Sequence, residues 1–168
     1  MASWAASARG TVNVAGRSTG SLAIMNWQKL MSTHLPRAKA QAPATSSEIE
    51  AAESALGVPL PASLRSLLVQ SNGILDEHES HLVWPAKTIA ERNLSFRHNG
   101  EFSALYMPFD CLLFFGDAGN GDQFAFPIQG GDIRRPDIFI WDHETDSRSW
   151  FAGRLESFFE AVKMSEGS

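Results

Sequence analysis

Between residues 116 and 122 the chain reads GDAGNGD, placing three glycines among three oxygen-bearing side chains, Asp117, Asn120 and Asp122. Glycine N–H groups can cradle an anion and carboxylates can hold a hard cation, so two kinds of chemistry are conceivable here. The spacing supports neither. Gly116, Gly119 and Gly121 run G-x-x-G-x-G, the wrong order for a dinucleotide fingerprint, and no Lys-Ser or Lys-Thr follows as in a P-loop. A calcium loop alternates its oxygen ligands, whereas the third and fifth positions counted from Asp117 are both glycine. The stretch fits a β-hairpin better: two aromatic strands joined by a loop whose Gly and Asn residues take positive φ and whose Asp side chains cap the turn.

Two further clusters carry titratable groups. DEHESH, residues 76–81, sets His78 and His81 among Asp76, Glu77 and Glu79, but has neither the H-E-x-x-H spacing nor a cysteine pair, and reads as a solvated polar loop. WDHETDSRSW, residues 141–150, gathers Asp142, His143, Glu144 and Asp146 between two strand-like runs and reads as a hairpin tip. Asp142 and His143 are half of a general-base pair in composition only, because adjacent strand residues point to opposite faces. Cys111 has no evident base, and its setting, MPFDCLLFF, predicts a buried filler. With no nucleophile elbow or paired-carboxylate site, the chain reads as a non-enzyme without cofactor or metal.

The charge is uneven. The net value is −5, yet residues 1–47 hold five basic side chains and no acid, which leaves −10 on residues 48–168. Such a body repels phosphate backbones and attracts basic proteins, so direct nucleic-acid binding is not expected. A lone cysteine and the lack of a long apolar run point to a reducing compartment, the cytoplasm, and to no membrane association.

Several elements must position these groups. Residues 1–25, rich in Ala, Ser and Gly, are expected to be a disordered or extraneous extension, with residues 26–168 forming one domain. An organelle transit peptide, or an over-long reading frame preceding Met25, would also fit the extension. Trp27, Leu30, Met31 and His34 fall on one helix face, and RAKAQAPA reads as a loop. TSSEIEAAESALG predicts a helix with a capping box, Thr45 with Glu48 or Ser47 with Glu50, and a left-handed stop at Gly57. A helix opened by Pro61 follows, with Leu64, Leu67, Leu68 and Ser71 as its stripe and Asn72-Gly73 as its terminating turn. HLVW predicts a strand, and TIAERNLSFRH a helix opened by a Thr88–Glu91 capping pair. CLLFFG, DQFAFP, DIFIWD and SRSWFA predict four strands, and GRLESFFEAVKM a closing helix. Sequential strands without helical crossovers imply an α+β fold: a twisted, mainly antiparallel sheet with helices packed against it.

This order of signals resembles the SUKH superfamily, which includes fungal cell-wall-assembly regulators and bacterial immunity proteins of polymorphic toxin systems. The resemblance rests on Glu53, Leu56 and Gly57, then Leu60-Pro61 and Asn72-Gly73, and on the hairpin bearing Gly116, Asp117, Gly119, Gly121 and Asp122. It covers about residues 26–164 and implies a SUKH-like single domain that acts by binding. In bacterial members the domain commonly neutralises a cognate toxin, often a nuclease, so a basic toxin domain is the expected partner. Asp76, Glu77, Glu79, Asp142, Glu144 and Asp146 are the candidate partner-binding residues. The alternatives are a regulatory or scaffold protein of the same fold, and a metal-binding or hydrolytic protein using the 116–122 loop.

Overall fold

The computed structural model describes residues 24–166. Nearly all of the segment read as a disordered or extraneous extension lies outside the described residues. Helix α1 (Trp27–His34) is capped by Asn26, whose side chain accepts the Lys29 N–H at 2.9 Å. It buries Trp27, whose indole donates to Ser66 Oγ at 3.0 Å and whose ring lies 6.4 Å from that of Phe159. A two-residue strand, β1 (Lys39–Ala40), lies inside the predicted loop. Helix α2 (Ser46–Leu56) uses the Thr45–Glu48 capping box and stops at left-handed Gly57, φ 68°.

Helix α3 (Ala62–Leu68) starts after Pro61 and buries Leu64, Leu67 and Leu68. The predicted stripe extended to Ser71, but the helix ends earlier. The Ser71 hydroxyl, buried beyond the helix end, donates to the Gly73 carbonyl at 2.6 Å and accepts the Gln41 N–H at 2.8 Å. Glu53 explains the spacing of the preceding motif: one carboxylate oxygen accepts the Leu60 N–H at 3.0 Å and the other meets Arg65 at 2.7 Å, so the end of α2 grips the start of α3.

Strands β2 (Ile74–Leu75) and β3 (His81–Val83) complete a three-stranded antiparallel sheet ordered β1-β2-β3. Helix α4 (Ala86–His98) begins two residues before Thr88, so the predicted Thr88–Glu91 capping pair does not form at its start. The first helical N–H, that of Ala86, is instead accepted by the side chain of Asn72 at 2.8 Å. The Asn72-Gly73 turn therefore caps a helix other than the one it terminates. A short helix, α5 (Gly100–Leu105), follows where no element was predicted.

The second sheet is β4 (Leu112–Asp117), β5 (Gln123–Pro127), β6 (Ile138–Trp141) and β7 (Arg148–Ala152), antiparallel in chain order. Helix α6 (Leu155–Glu166) turns Leu155, Phe158, Phe159 and Val162 inward, the predicted stripe. Strands β4 and β5 are covered on both faces, which is why they read as nearly continuous apolar runs, whereas β7 keeps an exposed middle. On one face Phe96, Phe109, Phe114 and Trp141 pack ring to ring; on the other Phe115, Phe124 and Phe158 do so beneath α6.

The fold is α+β, with its strands divided between two sheets. They meet where the Trp84 N–H donates to the Phe115 carbonyl at 2.8 Å. Beside this contact the buried Asn93 amide of α4 accepts the Phe114 N–H at 2.9 Å and donates to the Phe114 carbonyl at 2.8 Å, standing in for a neighbouring strand. Gly116 allows the close approach: a β-carbon there would collide with the Leu82 carbonyl.

Candidate functional site

Three loops converge at one edge of the molecule. The 118–122 loop joining β4 to β5 lies between the 76–80 turn and the 142–147 tip joining β6 to β7. A β-carbon at Gly119 would sit 3.5 Å from Ser80 Oγ and 3.8 Å from Asp76 Oδ2; one at Gly121 would sit 2.8 Å from His143 Cε1. Both glycines have positive φ, 84° and 101°. Asn120 does not, contrary to the predicted pattern: its side-chain oxygen instead accepts the Asp122 N–H at 3.0 Å. Asp117 caps the turn as expected, accepting the Gly119 N–H at 2.7 Å. Gly119 answers the positive φ, while Gly121 also leaves room for the His143 ring.

Asp122 reaches across to the hairpin tip. Its Oδ1 lies 2.8 Å from His143 Nδ1 and accepts the His143 backbone N–H at 3.2 Å. The bond to Asp122 raises the pKa of the imidazole, with Glu144 and Asp142 adding to the effect against the cost of partial burial. Asp142 and His143 were expected to point apart. Strand β6 ends at Trp141, so strand alternation no longer applies to them, and ligand atoms of Asp122, Asp142 and His143 lie within 4.8 Å of one another. Several of their atoms already make bonds that shape the two loops. Asp122 is held by His143 and Asn120, and Asp142 Oδ1 accepts the N–H groups of Glu144 and Thr145 at 2.8 and 3.0 Å. Among the described residues no serine, threonine or cysteine hydrogen-bonds the His143 ring.

The six acids assigned to partner binding are placed on this edge in different states. Asp76 Oδ1 accepts the His78 and Ser80 N–H groups, both at 2.8 Å, which shapes its turn. Glu77 meets Arg37 at 2.6 Å, and the hydrogen bond and charge of that guanidinium hold its carboxyl below the usual range. Glu79 meets Lys39 at 3.0 Å. Asp142 is held low by the same two backbone N–H bonds that shape the tip. Burial would raise the Asp146 carboxyl, but the Met107 N–H, the Trp141 indole and Arg148 together keep it low. Glu144 is exposed and makes no ion pair among the described residues.

Sequence reasoning missed the clamp behind the tip. Arg148 donates to the Met107 carbonyl at 2.8 Å and the Pro108 carbonyl at 3.1 Å, and the Tyr106 hydroxyl donates to the His143 carbonyl at 3.0 Å. These partners are some 40 residues apart in sequence, and no spacing rule connects them. Cys111, expected to be buried, is exposed: it precedes β4, and the inward run begins at Leu112. Its sulfur accepts from Arg148 at 3.2 Å. Between the 118–122 loop and α4 opens a polar cleft of about 360 Å³, lined by His81, Thr88 and Asp117 and by Arg92, whose guanidinium sits 5.1 Å over the Trp84 ring.

Fold and site together define an α+β domain whose accessible chemistry is a set of charged loops at one edge. A family model described as SMI1-KNR4 cell-wall matches residues 46–159, and the chain belongs to that family, within the SUKH superfamily. The match begins at the first residue of α2 and takes in the motif around Glu53, the glycine hairpin and the first turn of α6, as far as Phe159. No curated protein matches the chain significantly. Among the described residues no helix is long and apolar enough to cross a membrane.

Proposed function

We infer that this chain is a non-enzymatic protein-binding domain that acts as an immunity protein, neutralising a cognate basic toxin, such as a nuclease, by docking its acidic loop edge against it. The observation that carries this reading is the seating of the 76–80 turn and the 142–147 tip on either side of the glycine loop, which gathers acids from two distant segments onto one edge. Family membership supports a binding role. Acids concentrated on one side of a body whose described residues carry 19 acidic against 12 Lys and Arg side chains accelerate encounter with a basic surface, and they do so less as salt rises. Glu144 is the acid free to meet a partner at once, whereas Glu77 and Glu79 would first leave Arg37 and Lys39.

The test is association with the product of the neighbouring gene, followed by stopped flow at two salt concentrations. Glu144→Lys is expected to slow association about tenfold at low salt and less at high salt. Unchanged association rates at both salts would remove the acidic edge from the interface. The cell-wall description of the family favours a second reading, a regulatory or scaffold protein binding an endogenous partner. A neighbouring gene for a large toxin with a nuclease-like C-terminal domain favours immunity; an isolated gene favours regulation.

A further inference from the structure

Leu105 and Met107, 71% and 56% exposed, flank Tyr106 at the end of α5, a helix that buries none of its residues. Met107 lines a cleft of about 230 Å³ walled by Phe96, Phe102, Tyr106 and Phe109, with Leu105 two residues before it in the chain. Its walls are rigid because Phe96 and Phe109 belong to the buried aromatic cluster, each ring centroid within 5.9 Å of the other's and both against Phe114. The exposed side chains are not on a fraying segment. The Met107 N–H donates to Asp146 at 2.8 Å, Arg148 holds the next two carbonyls' worth of chain, and Tyr106 is tied to His143. Apolar side chains held outward on an ordered scaffold, around a preformed aromatic pocket, have the make-up of an interface anchor.

The charges around the cleft select what would fill it. Asp110 lines it, Glu101 precedes Phe102, and Glu144 follows His143; all three are exposed, and none makes an ion pair among the described residues. Of the two nearby guanidiniums, Arg97 also lines the cleft, where its charge is felt by Asp110, and donates to the Leu112 carbonyl at 3.1 Å; Arg148 is paired with Asp146 and donates to the Met107 and Pro108 carbonyls. The result is an apolar pocket in which Arg97 offsets Asp110, flanked by the unpaired carboxylates of Glu101, next to Phe102, and of Glu144, on the tip joined to the pocket through Tyr106 and Asp146.

We propose that this cleft is the anchor of the partner interface and takes one large apolar side chain, aromatic or branched aliphatic, that the partner protein presents between lysine or arginine residues. The proposal rests on the protein-binding reading above and adds to it the place and chemistry of the contact. The acidic edge sets the rate of encounter, and the pocket sets how long the complex lasts.

The test uses the full chain and a capped peptide, Lys-Lys-Trp-Lys-Lys, titrated against the 15N-labelled protein. Saturable shifts are expected at the amides of Phe102, Tyr106, Met107 and Asp110. Binding should weaken about tenfold or more when the peptide's Trp is replaced by Ala, and equally in a Leu105→Ser/Met107→Ser variant. Both substituted side chains are exposed, and an otherwise unchanged amide spectrum establishes that this variant folds. Shifts that do not saturate, or that keep their strength without the Trp, overturn the proposal. So does sedimentation showing a dimer that the double variant abolishes, because the cleft would then belong to a second copy. Toxin binding separates this proposal from the function it rests on. If Glu144→Lys weakens the complex and Leu105→Ser/Met107→Ser does not, the anchor lies elsewhere while the binding function stands. If wild type binds no toxin, the immunity reading falls and the peptide titration alone decides the anchor.

Discussion

The Asp122 carboxylate and the His143 imidazole, 21 residues apart in sequence, meet at 2.8 Å and fasten the glycine hairpin to the acidic tip. The bond raises the pKa of His143 above the ordinary value. A raised folded-state pKa contributes stability that is fully present below the unfolded-state value, about 6.5, and is lost as pH rises through the folded-state value. In an NMR titration His143 should therefore have a midpoint above the ordinary range, and Asp122→Asn should return it there. Stability should decline on the alkaline side of that window in wild type and lose this dependence in His143→Gln. An unshifted midpoint in wild type would refute the latch.

Asp146 accepts from the Met107 N–H and from the indole of buried Trp141, both at 2.8 Å, at a backbone φ of 57°. Asp146→Ala leaves the indole N–H without its partner and places a β-carbon in a left-handed conformation that Asp and Asn tolerate better. A loss of about 1–3 kcal/mol is expected in denaturant melts, with Asp146→Asn recovering part of it. The Asp146 carboxyl is held low, so its contribution is present above the unfolded-state carboxylate pKa and disappears as pH falls through the folded-state value. The wild type and Asp146→Ala should accordingly converge in stability toward strongly acidic pH.

Asn93→Leu is expected to be among the more damaging single changes in the domain. It strips the Phe114 N–H and C=O of their partners inside a closed core, at about 1–3 kcal/mol for each group left unsatisfied. Hydrogen exchange at the Phe114 amide should rise by more than the global loss of stability accounts for. Equal protection in both proteins would mean that another donor or acceptor replaces the Asn.

Gly116→Ala tests the junction of the two sheets. The new methyl collides with the Leu82 carbonyl, a backbone group that cannot swing away, so about 1–3 kcal/mol or more should be lost. Gly57→Ala, which meets nothing within 4 Å but keeps φ at 68°, should cost less, about 1 kcal/mol from the backbone alone. Reversal of this order would show that the sheets separate easily.

Calcium or zinc added to the purified chain should leave its melting temperature unchanged, because a metal at Asp122, Asp142 and His143 would compete with the Asp122–His143 bond and with the N–H groups that Asp142 accepts. A ligand bound only by the native state must raise apparent stability, so a clear upward shift would revive the metal reading.

Local chemistry was legible where neighbours in sequence are neighbours in space. The Thr45–Glu48 box, the stop at Gly57, the inward stripe of α6 and the glycine hairpin each complete themselves within a few residues, and the spacing alone determined them. The cap of α4 misled for the opposite reason. A Thr-x-x-Glu pattern was present, but Asn72, 14 residues upstream, already supplied the acceptor. Cys111 misled because apolar neighbours were read as burial, whereas burial here starts at the next residue, with the strand.

By itself, then, the sequence determined the α+β class, the order of the main elements, the family markers and the acidic load of the body. Tertiary structure decided which acids are already bonded, that the 76–80 turn and the 142–147 tip share one edge, and that Arg148, Tyr106 and Asp146 brace an apolar cleft beside them. The physical reason is range. Capping and periodicity act over one or two turns of chain, while these hydrogen bonds join groups 20 to 40 residues apart and exist only once the two sheets and their helices have packed.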